Sequence, residues 1–305
     1  MKEKMKNKRP SAKKQQTLRD LKAYAFMTPA LVILLIFTIF PILYSLVLMF
    51  YNYSVVGETK FVGLGNFSRL FNDRVFAIAI KNSLVFVLVV PVIQVLSILL
   101  AILVNKRMPG MTFFRVLYYI PVITSMVAVS IIWGFIFNSN GIINTALMNA
   151  GMISKPLGFL NNKNTVMLCL MFITTWQGLG YYMMMYLAGL QSVPQDICEA
   201  ARIDGASPAK VFTKIKMPML KPTIWFCTLN SIISALAVFD VVMVLTQGGP
   251  NNASMVINYY SYTKAFKEFQ FGYAAAVGAV QAVITTLLSI VVFVYGNKGG
   301  MSNDE

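Results

Sequence analysis

Few side chains in this sequence have the chemistry to act on another molecule, and they gather in three places. Three of the eleven acidic residues, Asp196, Glu199 and Asp204, crowd into the stretch QSVPQDICEAARIDGASPAKVFTKIKMPMLKP at 191–222. A carboxylate such as Glu199 on an exposed helix can bond a basic residue of a partner protein. It can also pair with Arg202 at i,i+3, a solvated contact of only a few tenths of a kcal/mol. The second place is Trp176 and Gln177, followed by Gly178 and Gly180 with Tyr181 and Tyr182 just beyond. Ring faces beside amide groups are what a sugar site uses, and a glycine pair predicts an interruption of a span where it lines a cavity. Asn230 and Ser234, at i and i+4, share a helix face. Small and hydroxyl residues also simply let membrane helices approach closely. The third place is Asp240, the one ionisable group inside an apolar run, and such a group is a functional candidate by position. A proton relay needs a second intramembrane partner, and there is none; a structural or gating hydrogen bond does not.

What is missing narrows the chemistry further. The sequence has no His, and its three Cys (Cys169, Cys198, Cys227) are widely spaced and odd in number. This gives no disulfide framework and no zinc spacing. No Gly-x-x-x-x-Gly-Lys-Ser/Thr phosphate loop occurs, and no paired carboxylates or Ser/His/Asp set stands in for catalysis. No metal site, no bound cofactor and no catalytic residue are expected.

The elements that carry these residues are set by hydropathy. The chain has 305 residues, of which 57% are hydrophobic and 12% charged, with mean hydropathy +0.66. Average soluble proteins carry about twice that charge, which excludes a soluble enzyme and a disordered chain. A helix needs about 20 apolar residues to cross the hydrocarbon, and six stretches qualify. They are 26–50, 84–104, 116–137, 165–190, 223–246 and 272–295. Continuous apolar runs exclude barrel alternation, so the fold class is an all-α polytopic membrane protein with six transmembrane helices. The net charge of +15 divides unevenly: 18 of the 26 basic residues fall in the tail 1–24, the loops 105–115 and 191–222, and the tail 298–305. The positive-inside rule places both termini and these loops in the cytoplasm. The basic excess is then an orientation signal beside anionic lipid, and no nucleic-acid partner is expected. Between spans, 51–83 predicts amphipathic turns capped by Asn66 and Asp73, 138–164 an outer loop, and Gln247–Asn252 a turn.

Within 191–222, Pro194 suits the first position of a helix running to about 203, and Gly205 suits the left-handed position that closes it. Ser207-Pro208 opens a second helix to about Lys216, with Pro218 and Pro222 as its stop. Cys198, Ala200 and Ala201 give the first helix a small-residue surface. Such a glycine-bent hairpin suits docking into a groove on a partner; a connector lying on the membrane is the plainer alternative.

This stretch resembles the EAA loop of the membrane permeases of bacterial ABC importers. The matching residues are Glu199-Ala200-Ala201, Gly205, Ile215 and Met217-Pro218, with Met in place of the family's Leu. Further pieces resemble the carbohydrate-importer permeases of the type that includes the larger maltose-system subunit. They are Thr28-Pro29-Ala30, Phe40-Pro41, Phe61 to Phe67, Asn82-Ser83, Phe114-Arg115 with Pro121, Gly141 to Asn144, Asp204-Gly205-Ala206 and Thr246 to Pro250. The resemblance covers about 25–297. It implies a type I importer permease fold in which the EAA loop forms coupling helices, with Glu199, Ala200, Ala201, Asp204, Gly205, Ile215 and Pro218 meeting a cytoplasmic ATPase. It further implies a heterodimer with a second homologous permease, two ATPase subunits that hold ATP and Mg, and an extracytoplasmic solute-binding protein. By the same resemblance the sugar path takes in Thr124, Ser125 and Met126, Trp176, Gln177 and Gly178, and Ser234 with Val238. Location in a bacterial cell membrane follows. A small secondary carrier or channel is the alternative class; it would need intramembrane charges and repeated spans.

Overall fold

The computed structural model describes residues 12–53, 58–106 and 108–296. The basic residues of the first eleven positions, Arg107 and the expected tail 298–305 lie outside the described residues. The first long element is α1 (Ala12–Leu34), which runs through a π-turn at Leu35–Ile39 into α2 (Phe40–Leu48). It therefore starts well ahead of the expected span and takes in part of the expected tail. Its apolar side chains are exposed along both faces, from Phe26 to Val47, as suits a helix whose solvent is lipid. A two-residue ribbon, β1 (Tyr51–Asn52) against β2 (Lys60–Phe61), turns the chain.

Next come α3 (Gly65–Phe71), α4 (Arg74–Phe86) and α5 (Val89–Val104). Asp73 caps α4 as expected, accepting from the N–H groups of Val75 and Phe76 at 2.9 and 3.2 Å. Asn66 is not a cap. It sits inside α3, buried, and its Nδ2 donates to the carbonyls of Met49 and Tyr51 at 2.9 Å each, tying down the end of the first span. Asp73 also accepts the hydroxyls of Tyr260 and Tyr273, with Arg69 stacked on the Tyr273 ring at 4.4 Å. Burial alone would raise the Asp73 carboxyl, but the two tyrosines and two backbone N–H groups outweigh it and hold it below its ordinary value. A depressed carboxyl stabilises the fold above its unfolded value, about 3.9, and loses that contribution as pH falls through the folded one. Thermal stability in detergent should therefore drop below about pH 4, and Asp73→Asn should flatten that drop while lowering the melting temperature at neutral pH. Equal acid sensitivity in both proteins would exclude this network as its source.

The third expected span is sharply bent. Residues 116–137 form two helices, α6 (Met111–Ile123) and α7 (Met126–Ile136), bent by 98°. The Thr124 hydroxyl takes the Ile120 carbonyl at 3.0 Å, competing with the backbone for that acceptor, and Thr124 and Ser125 turn extended. Among the described residues five helices are long and apolar enough to cross a membrane, or six if this bent pair is one span. The loop expected at 138–164 contains α8 (Ile142–Asn149), fastened by the buried Asn144, which donates to Asn138 O and Leu157 O and accepts from Leu157 N.

The fourth span, α9 (Val166–Gln191), is unbroken, contrary to the interruption expected at Gly178 and Gly180. The two glycines instead admit neighbours. A Cβ on Gly178 would meet Ile93 Cδ1 at 2.9 Å, and one on Gly180 would overlap the Tyr118 carbonyl. After α9 come α10 (Gln195–Ile203), α11 (Pro208–Val211), a π-turn at Phe212–Lys216 and α12 (Met217–Met219). The chain then forms α13 (Lys221–Leu236), α14 (Asp240–Leu245), α15 (Ile257–Tyr262), a π-turn at Thr263–Lys267 and α16 (Phe271–Gly296). The core packs α5, α9 and α13 around Phe86, Ile93, Leu170, Met183, Tyr186 and Leu236.

Candidate functional site

Four helices wall a cavity of about 290 Å³ between the ends of the spans, α6 through Val122 alone. From α5 come Val89, Val90 and Ile93; from α9, Thr174, Gln177, Gly178, Tyr181 and Tyr182; from α13, Asn230, Ser231, Ser234 and Ala235. On α9 the lining positions fall at i, i+3, i+4 and i+7 from Thr174, and on α13 they repeat at i and i+4, so each helix turns one polar stripe inward. Tyr182 donates to Asn230 Oδ1 at 3.2 Å across the cavity wall. Beside it, Gln94 Nε2 donates to Cys227 O at 3.1 Å and Ser231 Oγ at 2.7 Å, and its Oε1 accepts the Tyr186 hydroxyl. This network is buried and each of these side chains is satisfied, which is the condition for polar groups at membrane depth. Among the described residues no Asp, Glu, Lys or Arg lines the cavity.

Of the residues expected on the substrate path, the cavity gathers Gln177, Gly178, Tyr181, Asn230 and Ser234. Thr124, Ser125 and Met126 sit at the bend between α6 and α7, where Thr124 O accepts from Gln177 Nε2 at 3.4 Å. Trp176 points elsewhere. It packs edge-on to Trp133 at 5.5 Å in a cluster with Phe137 and Phe172. Val238 is buried in the core. Asp240 is not in the middle of a helix: α13 ends at Leu236, whose carbonyl accepts from Gln281 at 3.0 Å. The carboxylate begins α14, where the helix dipole favours it. It is exposed on this chain and finds no hydrogen-bond partner among the described residues. Thr174, Ser231, Gln94 and Tyr186 were not anticipated. The repeating polar positions on α9 and α13 were a legible signal for the first two.

The loop 191–222 folds as two short helices at a left-handed glycine. Gly205 has φ +83°, and Ser207 caps α11 through Lys210 N at 3.4 Å with Pro208 at its first position. Pro194 is the residue before α10, not its first position. Pro218 and Pro222 do not stop the second helix. They occupy first-turn positions of successive segments, where no N–H is needed, and Leu220 N still reaches Lys216 O while Ile224 N reaches Leu220 O. The small-residue surface expected on α10 turns inward in part: Cys198 is buried with Val193 and Val211, and Ala201 and Ile215 pack on them. Glu199, Ala200, Asp204, Gly205 and Pro218 face out. Glu199 and Arg202 form no ion pair among the described residues.

Other motif residues turn out to be fasteners. Asn82 Nδ2 donates to Asn252 O and Met255 O, and Ser83 Oγ accepts from Ile257 N, so two distant motifs meet at the Gly-Gly-Pro turn. Arg115 donates to Val104 O at 2.7 and 3.2 Å, capping the end of α5.

Residues 61–297 match the family described as the binding-protein-dependent transport system inner membrane component. The chain belongs to this family. Members are ABC transporter permeases, and this permease is a multi-pass membrane protein. It is 36% identical over 281 residues to the lactose transport system permease protein LacF of Rhizobium radiobacter, across 90% of this chain and 93% of that one. The arabinooligosaccharides transport system permease protein AraP of Bacillus subtilis is 33% identical over 297 residues, across 92% of each chain. The permease shares its fold with a chain of a bacterial ABC transporter involved in import of the acidic polysaccharide alginate. That match has TM-score 0.81 and 24% identity, and covers 93% of this chain and 98% of the other. A second alginate transporter structure, with TM-score 0.80, 24% identity and 91% and 94% coverage, is a complex with an alginate-bound periplasmic protein.

Proposed function

We propose that this permease carries a saccharide delivered by an extracytoplasmic binding protein, as half of the path through a heterodimer with a second, homologous permease. Two ATPase subunits that hold ATP and Mg dock on the hairpin at 191–222, which then lies in the cytoplasm with both termini. The permease unit is about 25–297, and the chain itself catalyses nothing. One observation carries the reading: the hairpin joins the ends of α9 and α13, the two helices that present the polar stripes to the cavity. From Pro208 to Asn230 the path is almost wholly helical, roughly 30 Å at 1.5 Å per residue. A displacement at the hairpin is therefore passed to the cavity walls with little loss.

Sugar hydroxyls need neutral donors and acceptors with a ring face nearby, which Gln177, Asn230, Ser234 and Tyr181 supply. With no cation in the lining, a phosphorylated or acidic sugar would enter without a counter-charge and at a desolvation cost, so an uncharged saccharide fits best. Gln177→Ala and Asn230→Ala should each lower uptake by the assembled transporter about fivefold to tenfold, the loss of one hydrogen bond of ~1 kcal/mol. ATPase activity stimulated by the binding protein should persist. Wild-type uptake in both variants would remove the cavity from the path.

A further inference from the structure

A second cavity, larger than the first, has no role in sugar transfer as described. It is a cleft of about 1030 Å³ between the hairpin and the ends of α5, α6 and α9. Among the described residues its charged lining is Lys106, Arg115, Arg202 and Lys216 against the single carboxylate of Glu199, a balance of three positive charges. Lys106, Arg202 and Lys216 have no ion-pair partner among the described residues, and Arg115 spends two donors on Val104 O. Beside these cations the lining mixes the amides of Asn105, Gln191 and Gln195 with apolar Ile102, Leu190 and Phe212. On the same ends of α5 and α6, Leu99, Leu103, Phe113 and Phe114 are exposed, a surface for acyl chains. The cleft thus sits where apolar spans give way to a polar hairpin, which is headgroup depth.

We infer that this cleft binds the headgroup of an anionic phospholipid, with its acyl chains along α5 and α6. Basic pockets between span ends attract such headgroups. A free phosphate would use the cations but leave the apolar lining and the exposed helix faces unused. An ATPase segment is the other candidate occupant; of the outward residues of the hairpin Glu199 borders the cleft, but Ala200, Asp204, Gly205 and Pro218 do not line it. The inference builds on the cytoplasmic placement of the hairpin proposed above. A lipid bound in the cleft would support the hairpin from the membrane side while the ATPase presses from the other.

The test uses the whole transporter, reconstituted in nanodiscs with phosphatidylcholine alone or with one quarter phosphatidylglycerol. Retained lipid is counted by native mass spectrometry, and a benzophenone amino acid at Gln191 reports what fills the cleft. Wild type should retain phosphatidylglycerol and crosslink to phospholipid, while millimolar inorganic phosphate should not displace it. Lys106→Gln with Arg202→Gln and Lys216→Gln should cut retention at least fivefold, and Glu199→Gln, which removes the only acid, should increase it. That opposite pair keeps the result independent of misfolding. Equal retention in all variants, displacement by phosphate, or crosslinking only to a polypeptide would each overturn the inference. Nanodiscs present the same lipid on both faces, so a hairpin on the other side of the membrane would leave retention intact. A failed placement is thereby told apart from a failed lipid site.

Discussion

Gly205→Asp should reduce uptake to background, a loss of at least about a hundredfold, in a transporter that still inserts and assembles. Gly205 holds φ +83° with nothing within 4 Å of an added Cβ, so no clash arises inside the chain. The local cost is the left-handed conformation, about 1–2 kcal/mol for an ordinary L residue, and less for Asp, which tolerates that region. The hairpin therefore keeps its bend, held by its small core of Val193, Cys198 and Val211. What changes is the surface: a new carboxylate stands beside Asp204 at the exposed tip, where the proposed ATPase contact needs close backbone approach. Gly205→Asn, which also tolerates the left-handed region without charge, should keep a substantial fraction of uptake. Transport into proteoliposomes, beside an immunoblot of the inserted chain and a pull-down of the ATPase, separates coupling from folding. Normal uptake by Gly205→Asp would sink the proposed role of the hairpin.

The design that follows is a lever with two arms. α9 enters the hairpin and the helical path from α11 to α13 leaves it, and both carry cavity residues. Prolines at 218 and 222 belong to this lever because each occupies a first-turn position, where its missing N–H leaves no bond unmade. Asp240 lies where the lever ends, at the break after Leu236. Its carboxylate is exposed on this chain.

Composition made the class legible, because uncharged apolar runs leave a helix as the only way through a bilayer. The hairpin was legible to the residue at Gly205, Ser207 and Pro208, since caps and left-handed glycines are local features. Three things were not. The bend between α6 and α7 falls at the extended pair Thr124 and Ser125, inside an apolar run that conceals it. The roles of Gly178 and Gly180 depend on which helix lies opposite, which hydropathy does not encode. Trp176 was drawn to the sugar path by its ring, yet Trp133, from a distant position in the sequence, claims it for packing. Polar stripes on α9 and α13 needed only a helical period, and extending the Asn230/Ser234 pair by one position each way would have found Ser231.

Packing, not the sugar, decides the other large effect. Gly180→Leu should prevent accumulation of the folded chain, and Gly180→Ala should lower its melting temperature in detergent by on the order of 5 °C. Gly180 lies in α9 against the backbone of α6: an added Cβ would overlap the Tyr118 carbonyl oxygen and come within 2.9 Å of its carbon and 3.0 Å of Val122 Cγ2. A side chain in the way could rotate; a helical carbonyl cannot, so the two helices must part. Overpacking of this kind costs about 1–3 kcal/mol for a methyl, and more for a larger group. Separation would also lengthen the 3.4 Å contact from Gln177 to Thr124 O, so surviving Gly180→Ala protein should show weaker uptake as well. Gly278→Ala is the matched control, a helical glycine on α16 with nothing within 4 Å of an added Cβ. It should leave melting temperature and uptake unchanged. If the two alanine variants melt alike, α6 does not pack on α9 at this glycine, and the cavity wall built from Gln177 and Thr124 must be redrawn.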